Sequence, residues 1–317
     1  MPLMSSDRPP RPAPLMICLW LSLVALSLIL QSARVRASGP DPHPRSGPRP
    51  PRPPKPIALP ANLNIPRYSQ GPEPFHDGEI LVYEASWEGI PAARARVTLR
   101  RTRSAHPRWN GEMWLNTSRV VDVLYRMRDY FHEDFDYATW CPDHINILQH
   151  ENARLDRWLA VFDRPRQIVR ATRTNRQGRT WVRLFTGGAP WGPFSGAMMA
   201  LSQPLAPDST YTFDVFAGGT RYVFAFTVEG RDRLTTPLGT FNALRIQPAI
   251  VWISENSYRN EATGMTLWVS DDPRHLPLRA TAAVFFGTVE VDLTQVSDAP
   301  RSNTAGRAAI ATTPLVQ

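Results

Sequence analysis

The stretch EILVYEASW, residues 79–87, and the stretch ARARVTL, residues 93–99, decide the fold class. In the second, Ala93, Ala95, Val97 and Leu99 fall on one face of an extended chain, and Arg94, Arg96 and Thr98 on the other. A period of two marks a strand with one buried and one wet face. Glu88-Gly89-Ile90-Pro91 joins the two stretches and carries turn residues, so the pair reads as a hairpin.

The same grammar extends outward. Short β-branched and aromatic runs recur at Met113–Thr117, Tyr130–Phe135, Ile145–Asn152, Trp158–Asp163, Ile168–Thr174 and Thr180–Phe185. They resume at Tyr211–Phe216, Tyr222–Glu229, Thr240–Gln247, Thr266–Ser270, Arg279–Phe285 and Gly287–Leu293. Turn signals such as Asn175-Arg176-Gln177-Gly178 and Gly218-Gly219 separate them. Two segments have helical spacing: Val120–Arg128, and Phe194–Leu201 with Phe194, Ala197, Met198 and Leu201 on one stripe. The expected fold is mostly β. It is a single antiparallel, strongly curved sheet, or a barrel- or sandwich-like domain, over residues 75–296 with one or two short helices. A flexible C-terminal tail, residues 297–317, follows.

The N-terminal flank differs. Arg8 and Arg11 precede an apolar run from Leu15 to Leu30, and Val35-Arg36-Ala37 fits a signal-peptidase site. Residues 1–37 read as a signal peptide cleaved after Ala37, which places the domain in the periplasm or cell envelope. The alternative is an inner-membrane anchor formed by residues 15–30, although that run is shorter than the roughly 20 residues a span needs. Residues 38–74 read as a proline-rich disordered linker, typified by PDPHPRSGPRPPRPPKP at 40–56.

Of the net charge of +8, residues 1–37 carry +3 and residues 38–60 another +3, which leaves +2 for the domain. A near-neutral domain offers no basic face for nucleic acid. Cys18 leaves with the signal and Cys141 stands alone, so no disulfide is expected within the domain.

Chemistry-bearing patterns are sparse. Gly192-Pro193-Phe194-Ser195-Gly196 has the wrong spacing for a nucleophile elbow, and Ser195 reads as a helix cap or first-turn residue. Cys141, Asp143 and His144, flanked by His132 and His150, lack the second ligand pair of a zinc motif and read as a turn in which Asp143 bonds backbone amides. Glu133, Asp134 and Asp136 form an acidic cluster, with Asp134 and Asp136 on one strand face and Glu133 on the other. Asp271-Asp272-Pro273 opens a turn. No nucleotide loop is present in the sequence, and no cofactor or metal is assigned. In the Thr236–Phe241 turn, Gly239 is expected at positive φ, setting the register of a hairpin between Phe224–Glu229 and Phe241–Gln247.

Three ordered blocks carry a resemblance. Phe75, Gly78, Glu79, Leu81, Tyr83, Trp87, Gly89 and Ile90 form the first, and Thr236-Pro237-Leu238-Gly239-Thr240-Phe241 the second. The third runs Leu267-Trp268-Val269-Ser270-Asp271-Asp272, with Leu276-Pro277 and Gly287. Together they resemble the bacterial domain of unknown function 3108. One departure lies at Gly192, where the family pattern D-P-x-S-A carries an Asp. The resemblance implies export and a β-rich body, and no catalytic residues.

The function expected is non-enzymatic binding of an apolar or amphipathic ligand, such as a lipid or glycan fragment, in a curved β-sheet whose concave face is lined by aromatics. The alternative is a structural or adaptor role with an envelope protein as partner. A hydrolytic enzyme using Asp134, His132, His144 and Asp271 ranks last.

Overall fold

The computed structural model describes residues 56–58, 63, 65–253, 258–260, 264–284 and 287–298. The signal segment with Ala37, the alternative anchor at 15–30 and the tail beyond 298 lie outside them. No helix among the described residues is long and apolar enough to cross a membrane.

The hairpin read from residues 79–99 forms as β2 (Glu79–Trp87) and β3 (Ile90–Arg101). Its alternation is observed over Ala93–Val97, with Ala93, Ala95, Val97 and Leu99 buried and Arg94 and Arg96 exposed, but Thr98, expected on the wet face, is buried. A meander follows through β4 (Arg108–Thr117), β5 (Arg128–Asp136), β6 (Pro142–Glu151), β7 (Arg154–Asp163), β8 (Ile168–Asn175) and β9 (Thr180–Thr186). The second half contains β10 (Thr210–Ala217), β11 (Thr220–Thr236), β12 (Gly239–Ile253), β13 (Tyr258–Asn260), β14 (Met265–Ser270), β15 (Pro277–Ala283) and β16 (Thr288–Asp298). β16 returns to pair with β2, so among the described residues both halves form one sheet of sixteen strands ordered β1-β9-β8-β7-β6-β5-β4-β3-β2-β16-β15-β14-β12-β11-β10, with β13 on β12.

Two architectural expectations are corrected. The sheet is mixed rather than purely antiparallel, because β1 (Ile57–Ala58) pairs parallel to β9. The sheet is also open, without the strong curvature that closes a barrel, since no backbone ladder joins β9 to β10. Side chains span that gap instead. The rings of Phe185 and Phe216 lie 5.1 Å apart, and Arg221 donates to the Thr186 carbonyl at 3.0 Å.

Residues within the expected linker take part in this seam. Ile57-Ala58 covers the β9 edge, and the Tyr68 hydroxyl accepts from the Thr212 amide on β10 at 2.9 Å. Trp191 makes a parallel bridge to Val215 on the same edge. Both terminal strands are thereby shielded from pairing with another chain.

The helix expected over Val120–Arg128 shrinks to α1 (Arg119–Asp122). Val123 and Leu124 are 85% and 76% exposed, so their spacing does not reflect a buried stripe, and Arg128 already opens β5. α2 (Pro193–Leu201) forms as expected, but every one of its nine residues is buried. A helix that is apolar all round belongs in a core. α2 plugs the inner face of the sheet between β4–β5 and β10. Gly111 on β4 makes room for it, since a Cβ there would stand 2.5 Å from the Phe194 ring.

The Thr236–Gly239 turn behaves as read. Gly239 has φ +127°, and Thr236 pairs with Gly239 around Pro237-Leu238. The strands are longer than expected: Phe241 faces Leu234, and Ile246 faces Val228 across a bulge at Val228/Gly230.

Candidate functional site

β5 sorts its residues strictly by parity. Asp129, Phe131, Glu133 and Phe135 are buried, while Tyr130, His132, Asp134 and Asp136 are half-buried on the outer face. Glu133 and Asp134, neighbours in sequence, therefore enter different chemistry.

Inside, the Glu133 carboxylate receives the Phe194 amide at 2.6 Å and the Ser195 amide at 3.3 Å. These are orphan donors of the first turn of α2. The preceding residue, Gly192, has no side chain to cap them, and a Cβ there would lie 2.1 Å from Glu133 Oε1. Ser195 sits in the first turn, and its hydroxyl accepts from the Gly192 amide at 2.9 Å. Burial pushes the Glu133 carboxyl up to about 7, and the hydrogen bonds from Ser195 and Phe194 oppose that rise.

A second inward group was not singled out from the sequence. Asp129 on β5, Glu151 on β6 and Asp156 on β7 are all buried. Burial, helped by the nearby Glu151 charge, raises Asp129 to about 8. Asp156 is held by Arg154 at 2.5 Å and Arg173 at 2.8 Å. The available signal was phase, because Asp129 lies in register with Phe131, Glu133 and Phe135.

Outside, the β4–β5–β6 register brings Asn110, Asp134 and His144 into one row and Glu112 and His132 into the next. Asp134 Oδ2 lies 2.8 Å from His144 Nε2 and 3.2 Å from His132 Nε2. Asn110 donates to Asp134 Oδ1 at 2.8 Å. Of the groups named from the sequence, His132, Asp134 and His144 thus meet, whereas Asp271 pairs with Arg231 at 2.7 Å elsewhere. The expected turn around Asp143 is corrected. Asp143 lies in β6 and binds Arg164 at 3.0 Å, and the turn is made by Asp136, which accepts from the Thr139 amide at 2.7 Å. Asp272 does open a turn, accepting from the Arg274 amide at 2.8 Å.

A cleft of about 440 Å³ lies at the seam, under residues 63–68. Leu63, Ile65, Phe162, Ile168, Val169 and Trp191 supply its apolar wall. Arg67 and Arg164 stand at its polar side, with the free thiol of Cys141 nearby. The volume falls within the range typical of small-molecule sites.

A family model described as a protein of unknown function, DUF3108, matches residues 82–294. No curated protein matches the chain. Among solved structures, a β-barrel-like protein of domain of unknown function DUF1849 from Brucella abortus is 8% identical, with TM-score 0.44 over 69% of this chain and 97% of that one. An exported protein with a YmcC-like fold from Bacteroides fragilis is 9% identical, with TM-score 0.29 over 73% of this chain and 100% of its own. A lipoprotein from Parabacteroides distasonis is 9% identical, with TM-score 0.30 over the same shares, 73% and 100%.

Proposed function

Since the chain belongs to the DUF3108 family of proteins of unknown function, we propose from its own surfaces that it is an exported envelope domain binding an amphipathic ligand in the seam cleft. The cleft carries this reading. Its wall of Leu63, Ile65, Phe162 and Ile168 suits an acyl-type chain, and Arg67, with Asp163 and the Arg164–Asp143 pair beside it, suits a polar end. The site differs from the concave aromatic face expected of the sheet, because α2 fills that face. The N-terminal apolar run and Val35-Arg36-Ala37 support export to the periplasm. No catalytic step belongs to the proposal.

Native mass spectrometry of the protein purified from its own envelope tests it, together with titration of a fluorescent apolar probe. A co-purifying amphiphile is expected, and Ile65→Glu and Ile168→Glu should each weaken probe binding at least tenfold. Protein that carries no ligand and fails to bind the probe would contradict the reading.

One observation favours a second reading, an adaptor role. Val120 in α1 and Val123 and Leu124 just after it are 65%, 85% and 76% exposed, a concentration of apolar surface that suits a protein partner. Leu124→Asp should then abolish capture of a reproducible envelope partner without changing stability. An unchanged set of captured proteins would remove this reading.

A further inference from the structure

We propose that His132, Asp134 and His144 form a binding site for one divalent transition-metal cation of the zinc type on the outer face of the sheet. The three donor atoms lie within 4.8 Å of one another. In a tetrahedral zinc shell with bonds near 2.0–2.1 Å, neighbouring ligand atoms stand about 3.3 Å apart. The 3.2 Å between His132 Nε2 and Asp134 Oδ2 already matches such an edge, and the 2.8 Å to His144 Nε2 needs only a small opening.

The surrounding hydrogen bonds orient the donors toward a cation. The Tyr130 hydroxyl donates to Glu112 Oε1 at 3.0 Å, and its oxygen stands 3.4 Å from His132 Nδ1. Glu112 Oε1 itself is 4.0 Å from that nitrogen. Tyr130 and Glu112 thus flank the Nδ1 side of His132, while Nε2 faces Asp134 Oδ2, with Asn110 Nδ2 at 3.5 Å. Asn110 engages the other carboxylate oxygen, Oδ1, and leaves Oδ2 between the two imidazoles. A cation seated between them would take Oδ2 and both Nε2 atoms as ligands. A carboxylate behind a histidine is the usual outer support of a metal-bound imidazole.

His132 and Asp134 side chains are each 17% exposed and His144 is 37% exposed. The donors are therefore partly desolvated, yet the site opens to solvent. Three protein ligands with an open side leave a fourth position for water or an exchangeable ligand. The site is separate from the cleft reading and does not depend on it.

The test uses the full chain, stripped with a chelator and titrated with zinc chloride by calorimetry, with cobalt(II) as a spectroscopic probe. One equivalent should bind, and cobalt should give the visible absorption of a tetrahedral site. Asp134→Asn and His144→Ala should each weaken binding at least a hundredfold and erase the cobalt signal. Thermal midpoints should stay near that of the parent chain, which shows that the fold survives. His150→Ala, further along β6, should bind as the parent does. Binding below one equivalent, or binding unaffected by Asp134→Asn and His144→Ala, would overturn the proposal. Equal loss in His150→Ala would overturn it too.

Discussion

Glu133 and Asp134 are adjacent carboxylates on one strand, and the fold gives them opposite environments. Glu133 is fully buried and accepts the first amides of α2. Asp134 faces outward between two histidines and an asparagine. The alternation of a strand is enough to send one residue to structure and its neighbour to surface chemistry. A one-residue slip of β5 would exchange the two roles, so the register carries the functional information.

The largest effect expected from this contrast is on Glu133. Glu133→Ala should destabilise by about 3 kcal/mol, because it orphans buried helix amides and opens a cavity. Asp134→Ala, one position on, should cost less than about 1 kcal/mol. Chemical denaturation of the two variants measures the difference directly.

Gly192 offers a second, smaller break. Gly192→Ala puts a Cβ 2.1 Å from Glu133 Oε1, so the carboxylate must swing off the Phe194 and Ser195 amides it caps. A loss of about 2 kcal/mol is expected in a thermal melt. Here the departure from the family pattern finds a physical account. The Asp expected at position 192 is absent, and the Glu133 carboxylate from β5 stands in its place against α2.

Away from both carboxylates, Gly239→Val should cost about 1–3 kcal/mol, because φ +127° strains any side chain even though a Cβ there meets nothing within 4 Å. If the alanine variant melts at or above the parent midpoint, the backbone strain is absent.

The strands were legible because alternation is local. Ala93–Leu99 needs no partner to be read, and the Gly218-Gly219 and Gly239 turns lie where their residues require. Boundaries were less legible. β11 and β12 extend beyond the expected runs because pairing with each other, rather than hydrophobicity, sustains them past the bulge. The parallel pairing of Ile57-Ala58 was hidden by the prolines around it. His132, Asp134 and His144 were each visible, but their meeting depends on the β5–β6 register, which shifts between Asp134 and Phe135. The role of Glu133 depends on a helix about sixty residues later in the chain, which no local pattern reports.

The two faces should also differ in their dependence on pH. A carboxyl group with a raised pKa in the folded state holds its proton more tightly when folded. Its favourable contribution is complete below the unfolded value, near 4.5 for Glu133, and is lost as pH rises through about 7. Asp129 acts in the same direction, from 3.8 up to about 8. Asp122 and Asp136 act oppositely, since Arg128 and Thr139 hold them below 3.8, so their contributions fade only in stronger acid.

The most direct measurement is therefore the stability of the parent chain and of Glu133→Gln by urea denaturation between pH 5 and pH 8. The parent should lose several kcal/mol across that range, with Glu133 accounting for about 2.5 kcal/mol. Glu133→Gln keeps an acceptor for the Phe194 amide but cannot ionise, so its profile should be flatter by that amount. If Glu133→Gln left the profile unchanged, the inward, buried assignment of Glu133 on β5 would be wrong.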